Sequence, residues 1–142
     1  MALALVGVPA GAQAGEGACP TLRPNSGFEW QFQQGVDFDL CRARSTSGQP
    51  LFFGMYLGFA ANFHPQADAR REKGVVGGYD VEWYRTGSKD PAFGYGREAL
   101  FNLPRGSNGP APEVHVWIYA ITAEQLAGVM RILENVRFNG TF

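Results

Sequence analysis

The most regular pattern of apolar and polar residues in this chain lies between residues 113 and 138. Residues 114–119 alternate between aliphatic side chains and the ring-bearing side chains of His115, Trp117 and Tyr119. A period of two is typical of a β-strand, in which successive side chains point to opposite faces. The segment is therefore predicted to be a strand with one aliphatic face and one aromatic face.

An amphipathic helix is predicted directly after this strand, beginning at Thr122. The Thr122 hydroxyl can accept a hydrogen bond from the N–H of Gln125, and the Gln125 side chain can reach back toward the start of the helix. One apolar stripe recurs at steps of three and four residues and consists of Leu126, Val129, Met130 and Leu133. Such a stripe has to pack on another element, most simply the aliphatic face of the preceding strand. A short strand is predicted after the helix.

Up to five further strands are predicted upstream, most of them from the same alternation. They span residues 28–32, 36–41, 51–58, 75–84 and 98–103. Residues 51–58 are almost wholly apolar, which is typical of a strand buried on both faces, so this strand is predicted to lie centrally. Residues 59–74 are predicted to be a long connection, and its charged run at 68–73 is expected to be a solvated loop or a single helical turn.

Consecutive strands joined by short links favour an antiparallel sheet, and a late helix can cover one face of it. The predicted fold is α+β in two layers, with a mainly antiparallel sheet of five to six strands and one C-terminal helix packed on one face. In outline this arrangement resembles small exported domains of the PsbP/Mog1-like kind. No motif of that family is present, so the resemblance implies an architecture and assigns no role to any residue.

Composition and charge narrow the classes of partner. A chain of 142 residues that is 45% hydrophobic and 13% aromatic is expected to form one domain with a substantial core. Its formal net charge is −1, whereas nucleic acids and anionic membrane surfaces are bound by concentrated positive charge. Nucleic acid is therefore not a predicted partner. No further apolar run has membrane-spanning length, so stable membrane insertion is not expected after processing.

The first fourteen residues predict a secretory signal peptide. Residues 2–8 are apolar, and Ala12-Gln13-Ala14 matches an A-x-A cleavage site. The basic residue that normally opens such a signal is missing, which leaves two alternatives, a start further upstream or a plain Ala/Gly-rich tail. Residues 15–27 are then an N-terminal arm and residues 28–142 a single α+β domain, and the predicted location is the periplasm or the exterior of the cell.

The two cysteines, Cys19 and Cys41, are predicted to form one disulfide, because disulfides are the default in exported proteins. The bridge would tether the N-terminal arm to an early strand. The two histidines, His64 and His115, have no HxH or HExxH spacing, and the glycine-rich stretches match no nucleotide-binding loop. No metal and no cofactor are therefore predicted.

A candidate site is the ring-bearing face of the strand at 114–119. A second polar row, Asp80, Glu82 and Tyr84, follows one face of the strand at 75–84. If the two strands were neighbours, a carboxylate of Asp80 or Glu82 could form a hydrogen bond with His115, the pairing that general acid–base catalysis uses. The alternatives are an outer sheet face of mixed aromatic and charged residues, or a second small core under the long loops.

The aromatic residues exceed what one side of one sheet can bury, and no catalytic motif accompanies them. Aromatic surface with few charges is typical of protein–protein and small-ligand sites. The sequence therefore favours an exported, non-enzymatic binding module that recognises a protein partner or a small apolar ligand through its aromatic sheet face. The connection at 59–74 is a further candidate part of this site. Inhibitor, immunity and envelope-assembly roles all fit. The alternative is a small hydrolase-like enzyme that uses His115 with Asp80 or Glu82.

Overall fold

The computed structural model describes residues 19–87, 90–104 and 109–138, so the predicted signal peptide lies outside the described residues. Within them, a single antiparallel sheet is covered on one face by one helix. The elements are β1 (Phe28–Gln34), β2 (Phe38–Ser45), β3 (Phe52–Gly58), β4 (Arg71–Val76), β5 (Tyr79–Thr86), β6 (Tyr95–Asn102), β7 (Glu113–Ala120) and α1 (Ala123–Glu134). The predicted α+β class with an antiparallel sheet and a C-terminal helix is confirmed. The described residues contain seven strands, not five to six.

The strand order across the sheet is β1-β2-β3-β7-β6-β5-β4, which puts β7 at the centre. The aliphatic residues Val114, Val116 and Ile118 of β7 are fully buried on the face that carries α1. Leu126, Val129 and Leu133 are the buried residues of the helix, and α1 contacts β7, β6 and β4. The predicted packing of the apolar stripe on the aliphatic strand face is therefore confirmed.

Helix α1 begins as the sequence predicts. The N–H of Gln125 donates to the Thr122 hydroxyl at 3.1 Å, and the Gln125 side chain accepts from the N–H of Ile121 at 2.9 Å. Each contact satisfies a backbone or side-chain group that a helix terminus would otherwise leave without a partner. The start of the helix is consequently determined by residues within four positions of one another.

The additional strand arises from a hairpin that the sequence pattern concealed. The predicted strand at 75–84 is divided by Gly77 and Gly78, whose φ angles of 57° and 86° form a two-residue turn. The predicted loop at 68–73 is therefore wrong in its second half, because Arg71–Val76 pairs with Tyr79–Thr86 as β4. Charged residues occur in β4 because it is an edge strand, where charge opposes pairing with other chains.

The short strand predicted after the helix is also wrong for the described residues. The chain after α1 forms one isolated bridge, in which Thr21 and Arg137 exchange backbone hydrogen bonds of 2.7 and 3.2 Å. After α1 the chain continues in the same layer as the helix and not in the plane of the sheet. It therefore pairs with the N-terminal arm in that layer and does not join the sheet.

The N-terminal arm, residues 19–27, covers the part of the sheet that α1 does not contact. The predicted disulfide is present between Cys19 and Cys41, and both residues are fully buried. Leu22 is 1% exposed, and the indole Nε1 of Trp30 donates to the Pro20 carbonyl at 2.7 Å. Arm and helix together therefore form the second layer. No helix in the described part of the chain is long and apolar enough to cross a membrane.

Candidate functional site

The predicted site residues of β7 lie on the sheet face opposite α1, here called the open face. Residues directly opposite each other in an antiparallel pair point to the same face, so the register identifies their neighbours. At the centre of the sheet the open face consists of His115, Trp117 and Tyr119 of β7, Phe52, Gly54 and Tyr56 of β3, and Gly96, Glu98 and Leu100 of β6. This face is the candidate binding surface.

Trp117 lies directly over Gly54. A Cβ atom built on Gly54 would come within 2.7 Å of Cζ2 of the indole and within 2.6 Å of the Cys41 carbonyl oxygen. Because Gly54 has no side chain, the Trp117 indole can pack directly on the backbone of the neighbouring strand. Trp117 is half-buried as a result, although no helix covers it.

The long connection between β3 and β4 folds back over part of the open face. Phe63, in this connection, is 8% exposed. Its ring lies parallel to the imidazole of His115, with centroids 4.9 Å apart and planes 9° apart, and it meets the Tyr84 ring edge-on at 5.7 Å. One part of the open face is therefore a small covered cluster around His115.

The carboxylate partner of His115 is Glu98. Nε2 of His115 lies 2.9 Å from Oε1 of Glu98, and the two side chains are 14% and 15% exposed. The predicted pairing with Asp80 or Glu82 is wrong, because β6 lies between β5 and β7 and supplies the nearer carboxylate. A histidine that contacts a carboxylate in a shielded environment has the geometry of a general acid–base pair and also that of a stable structural contact.

The polar row of β5 is separated into different environments. Asp80 and Glu82 are exposed, and Glu82 pairs with Arg71 of the edge strand at 3.6 Å. The Arg71 guanidinium also lies over the Tyr84 ring, 5.1 Å from its centroid. Of the three β5 residues, only Tyr84 belongs to the cluster around His115, because its ring contacts that of Phe63. The structure therefore joins Tyr84 to the three β7 residues and leaves the two acids at the edge.

Tyr119 extends the cluster beyond Trp117. Burial raises the pKa of its phenol above the ordinary value, the negative charge of Glu98 acts in the same direction, and the Thr86 hydroxyl acts in the opposite one. Oγ1 of Thr86 is itself buried, and its approach to the Tyr119 phenol does not have the geometry of a regular hydrogen bond. At neutral pH Tyr119 is therefore a neutral hydrogen-bond donor and a poor nucleophile.

The end of the open face nearest Tyr119 is uncovered. Phe52, paired with Tyr119 in register, is 58% exposed, and its ring lies 5.1 Å from that of Phe93. Away from this end, Leu100, which is paired with His115, and Phe59, which follows β3, are also exposed, at 36% and 43%. The open face thus combines the covered cluster at His115 with an exposed aromatic area at Phe52.

Three residues that shape this face were not named as site residues from the sequence, although the connection at 59–74 that contains Phe63 was a candidate part of the site. Glu98 follows the alternation of its strand, which identifies its face but not its neighbour. Phe63 lies in a connection without periodicity. Phe52 belongs to an apolar run in which every position resembles core. Of the three, only Glu98 had a usable signal in the sequence. The period of two identifies the sheet face on which it lies.

The donor atoms of the open face do not suggest a metal centre. No group of three or more His, Cys, Asp or Glu side chains suited to a metal ion occurs among residues 19–87, 90–104 and 109–138. The contacts available at the centre of this face are ring faces, one imidazole–carboxylate pair and tyrosine phenols. Such groups bind ligands by apolar contact and hydrogen bonding.

Comparisons with known proteins assign no family to the chain: no protein-family model, no curated protein and no solved structure matches it.

Proposed function

We propose that this protein is an exported, non-enzymatic binding module that recognises a protein partner through the open face of its sheet. The observation that carries the proposal is Phe52. It lies on β3, next to the central strand, and 58% of its surface is exposed. Phe52 is the first residue of its strand, and a large apolar side chain beside the central strand of a sheet is normally covered. Exposed apolar patches mark interaction surfaces.

The surroundings of Phe52 resemble the core and rim of a protein interface. Trp117 and Tyr119 continue the ring surface toward the centre, and aromatic residues are enriched in interface cores. The flanking strands place exposed charges of both signs on the same face; they are Glu29, Arg42, Arg44, Arg71, Lys73 and Glu82. A charged rim around an aromatic centre favours a protein partner over a small apolar ligand, which needs enclosure on several sides.

Export is supported by the disulfide. Cys19 and Cys41 are joined and fully buried, and such structural disulfides persist in oxidising compartments. The apolar segment at residues 2–8 and the A-x-A sequence at 12–14 agree with this assignment. A periplasmic or secreted protein is therefore proposed.

Replacing Phe52 with serine is expected to reduce capture of the partner by at least about tenfold, because truncation of an aromatic anchor typically costs 2 kcal/mol or more. The measurement is affinity capture from the periplasmic or secreted fraction of the source, with the captured protein quantified by mass spectrometry. Phe52 contacts few core residues, so the thermal unfolding midpoint is expected to stay unchanged.

The matched control is Val36→Ser. Val36 is also an exposed apolar residue, but it lies in the turn between β1 and β2, away from the aromatic centre. V36S should capture the same partner as the unmodified protein. Equal capture by F52S and V36S, with both proteins folded, would show that the open face is not the binding surface.

A hydrolase-like activity is the second candidate, and the 2.9 Å contact between His115 and Glu98 is the observation that favours it. In this case the protein would hydrolyse p-nitrophenyl acetate faster than buffer does. Both Glu98→Gln and His115→Gln would lower that rate by about 100-fold, within the range of general acid–base contributions. A rate equal to buffer, or an unchanged rate in both variants, removes this candidate and leaves the binding module.

A further inference from the structure

A groove runs along helix α1 on the side of the N-terminal arm. It consists of two adjoining hollows of about 430 and 320 Å³. Ser26, Gly128 and Ile132 line both hollows, so the two are continuous. Volumes of this size are typical of clefts that hold small ligands or short peptide segments. The groove lies in the helix layer and is therefore separate from the open face.

Gly128 is the residue that keeps the groove open. It lies in the middle of α1, where glycine destabilises a helix by about 1 kcal/mol relative to alanine. A Cβ atom at this position would meet no atom within 4 Å, so packing provides no steric reason for glycine. The one structural effect of the missing side chain is the space at the point where the two hollows meet.

The two ends of the groove differ in chemistry. Arg23 and Arg131 line the larger hollow, and no carboxylate among the described residues pairs with either guanidinium. The helix dipole accounts for a basic residue in the last turn, such as Arg131, but not for Arg23 in the facing arm. The smaller hollow contains the apolar side chains of Phe28, Leu51 and Val129 and one carboxylate residue, Glu124 in the first turn of α1. One end therefore suits an anion and the other an apolar group.

Side-chain amides line both hollows. They belong to Asn25, Gln49, Gln125 and Asn135. A carboxamide has both donors and an acceptor, which is the combination that a peptide backbone requires. The Gln125 oxygen already accepts from the N–H of Ile121, and the Asn135 amide nitrogen already donates to the Arg131 carbonyl, so these two offer only their remaining groups. The groove therefore matches a peptide better than a simple apolar molecule.

We propose that this groove binds a short peptide segment of a partner protein that carries a carboxylate at one end and apolar side chains before it. The carboxylate contacts Arg23 and Arg131, and guanidinium groups bind carboxylates with paired hydrogen bonds. The apolar side chains occupy the hollow beside Val129. The carboxylate belongs either to a chain terminus or to an acidic side chain, which the experiment distinguishes.

The test uses NMR titration of the ¹⁵N-labelled mature chain with acetyl-Ala-Leu-Ala-Phe as the free acid. Backbone shifts are expected in residues 23–28 and 124–135 and not in β7. Acetyl-Ala-Leu-Ala-Phe-amide should bind at least about tenfold more weakly, since it lacks the charge-assisted contacts. Acetyl-Ala-Leu-Ala-Asp-amide reports on a side-chain carboxylate. Equal binding of the free acid and the Phe-amide, or no shifts in these segments with any of the three peptides, would overturn the proposal.

Two variants locate the ligand. The double variant Arg23→Gln/Arg131→Gln should weaken binding of the free acid by about tenfold or more, whereas Arg85→Gln, at an exposed arginine of β5, should leave it unchanged. Gly128→Phe should abolish binding by filling the groove, and Gly128→Ala should raise the thermal unfolding midpoint. Binding by G128F that equals that of the unmodified protein, with the fold retained, would contradict the assignment.

Discussion

Replacing Cys19 and Cys41 together with serine is expected to lower the free energy of unfolding by about 3 kcal/mol. The two residues are 22 positions apart, and the chain-entropy model assigns a loop of this length about that stabilisation. Without the bridge the arm also holds its buried Leu22 and the hydrogen bond between Trp30 and Pro20 less firmly. Since small domains are stable by about 5–15 kcal/mol, this is a large fraction of the total.

Urea denaturation of the oxidised protein and of the double variant measures the difference. Reductant should lower the midpoint of the unmodified protein to that of C19S/C41S and leave the variant itself unchanged. The indole N–H signal of Trp30 provides a local readout, because its partner is a carbonyl of the arm. An oxidised protein and a double variant with equal midpoints would mean that the arm is held by packing alone.

Replacing Gly54 with valine is expected to destabilise the protein by about 3 kcal/mol, at the upper end of the usual cost of overpacking. Its Cβ would lie 2.7 Å from the Trp117 ring and 2.6 Å from the Cys41 carbonyl oxygen. The indole can move away from the sheet, but the backbone carbonyl of the paired strand cannot move without disturbing β2. Denaturant midpoints measure the loss of stability. A shift of tryptophan emission to longer wavelength reports exposure of the Trp117 ring to water.

Gly94→Ala is the control, because a Cβ at Gly94 meets nothing within 4 Å, and its stability should change by less than about 0.5 kcal/mol. Adding Trp117→Ala to G54V should cost less than the sum of the two single changes, since the ring that collides with valine is gone. A G54V protein as stable as the original would show that Trp117 is not seated on Gly54.

The open face and the groove beside α1 are on opposite layers of the molecule, so their variants can be interpreted separately. F52S should impair capture through the sheet without affecting peptide titration in the groove. R23Q/R131Q should do the reverse. A protein with both surfaces would contact a partner through the open face and would bind a short peptide segment of a partner in the groove beside α1.

Local chemistry explains why the C-terminal half of the fold was predictable. The alternation of residues 114–119, the cap at Thr122 and the stripe of α1 all depend on neighbours within a few positions. Each of these features was confirmed in the structure. The first strand of the hairpin at Gly77 was missed because it begins with the charged run Arg71-Glu72-Lys73, which is typical of a solvated loop.

By itself, the sequence determined the α+β class, the faces of β7, the start of α1 and the pairing of the only two cysteines. Only the tertiary structure decided that Glu98 contacts His115, that Phe63 covers the imidazole, and that Phe52 stays exposed. The physical reason is that periodicity and capping are short-range, whereas strand order is set by contacts between residues far apart in the chain. An alternating pattern assigns each side chain to a face, but it carries no information about which strand lies beside it.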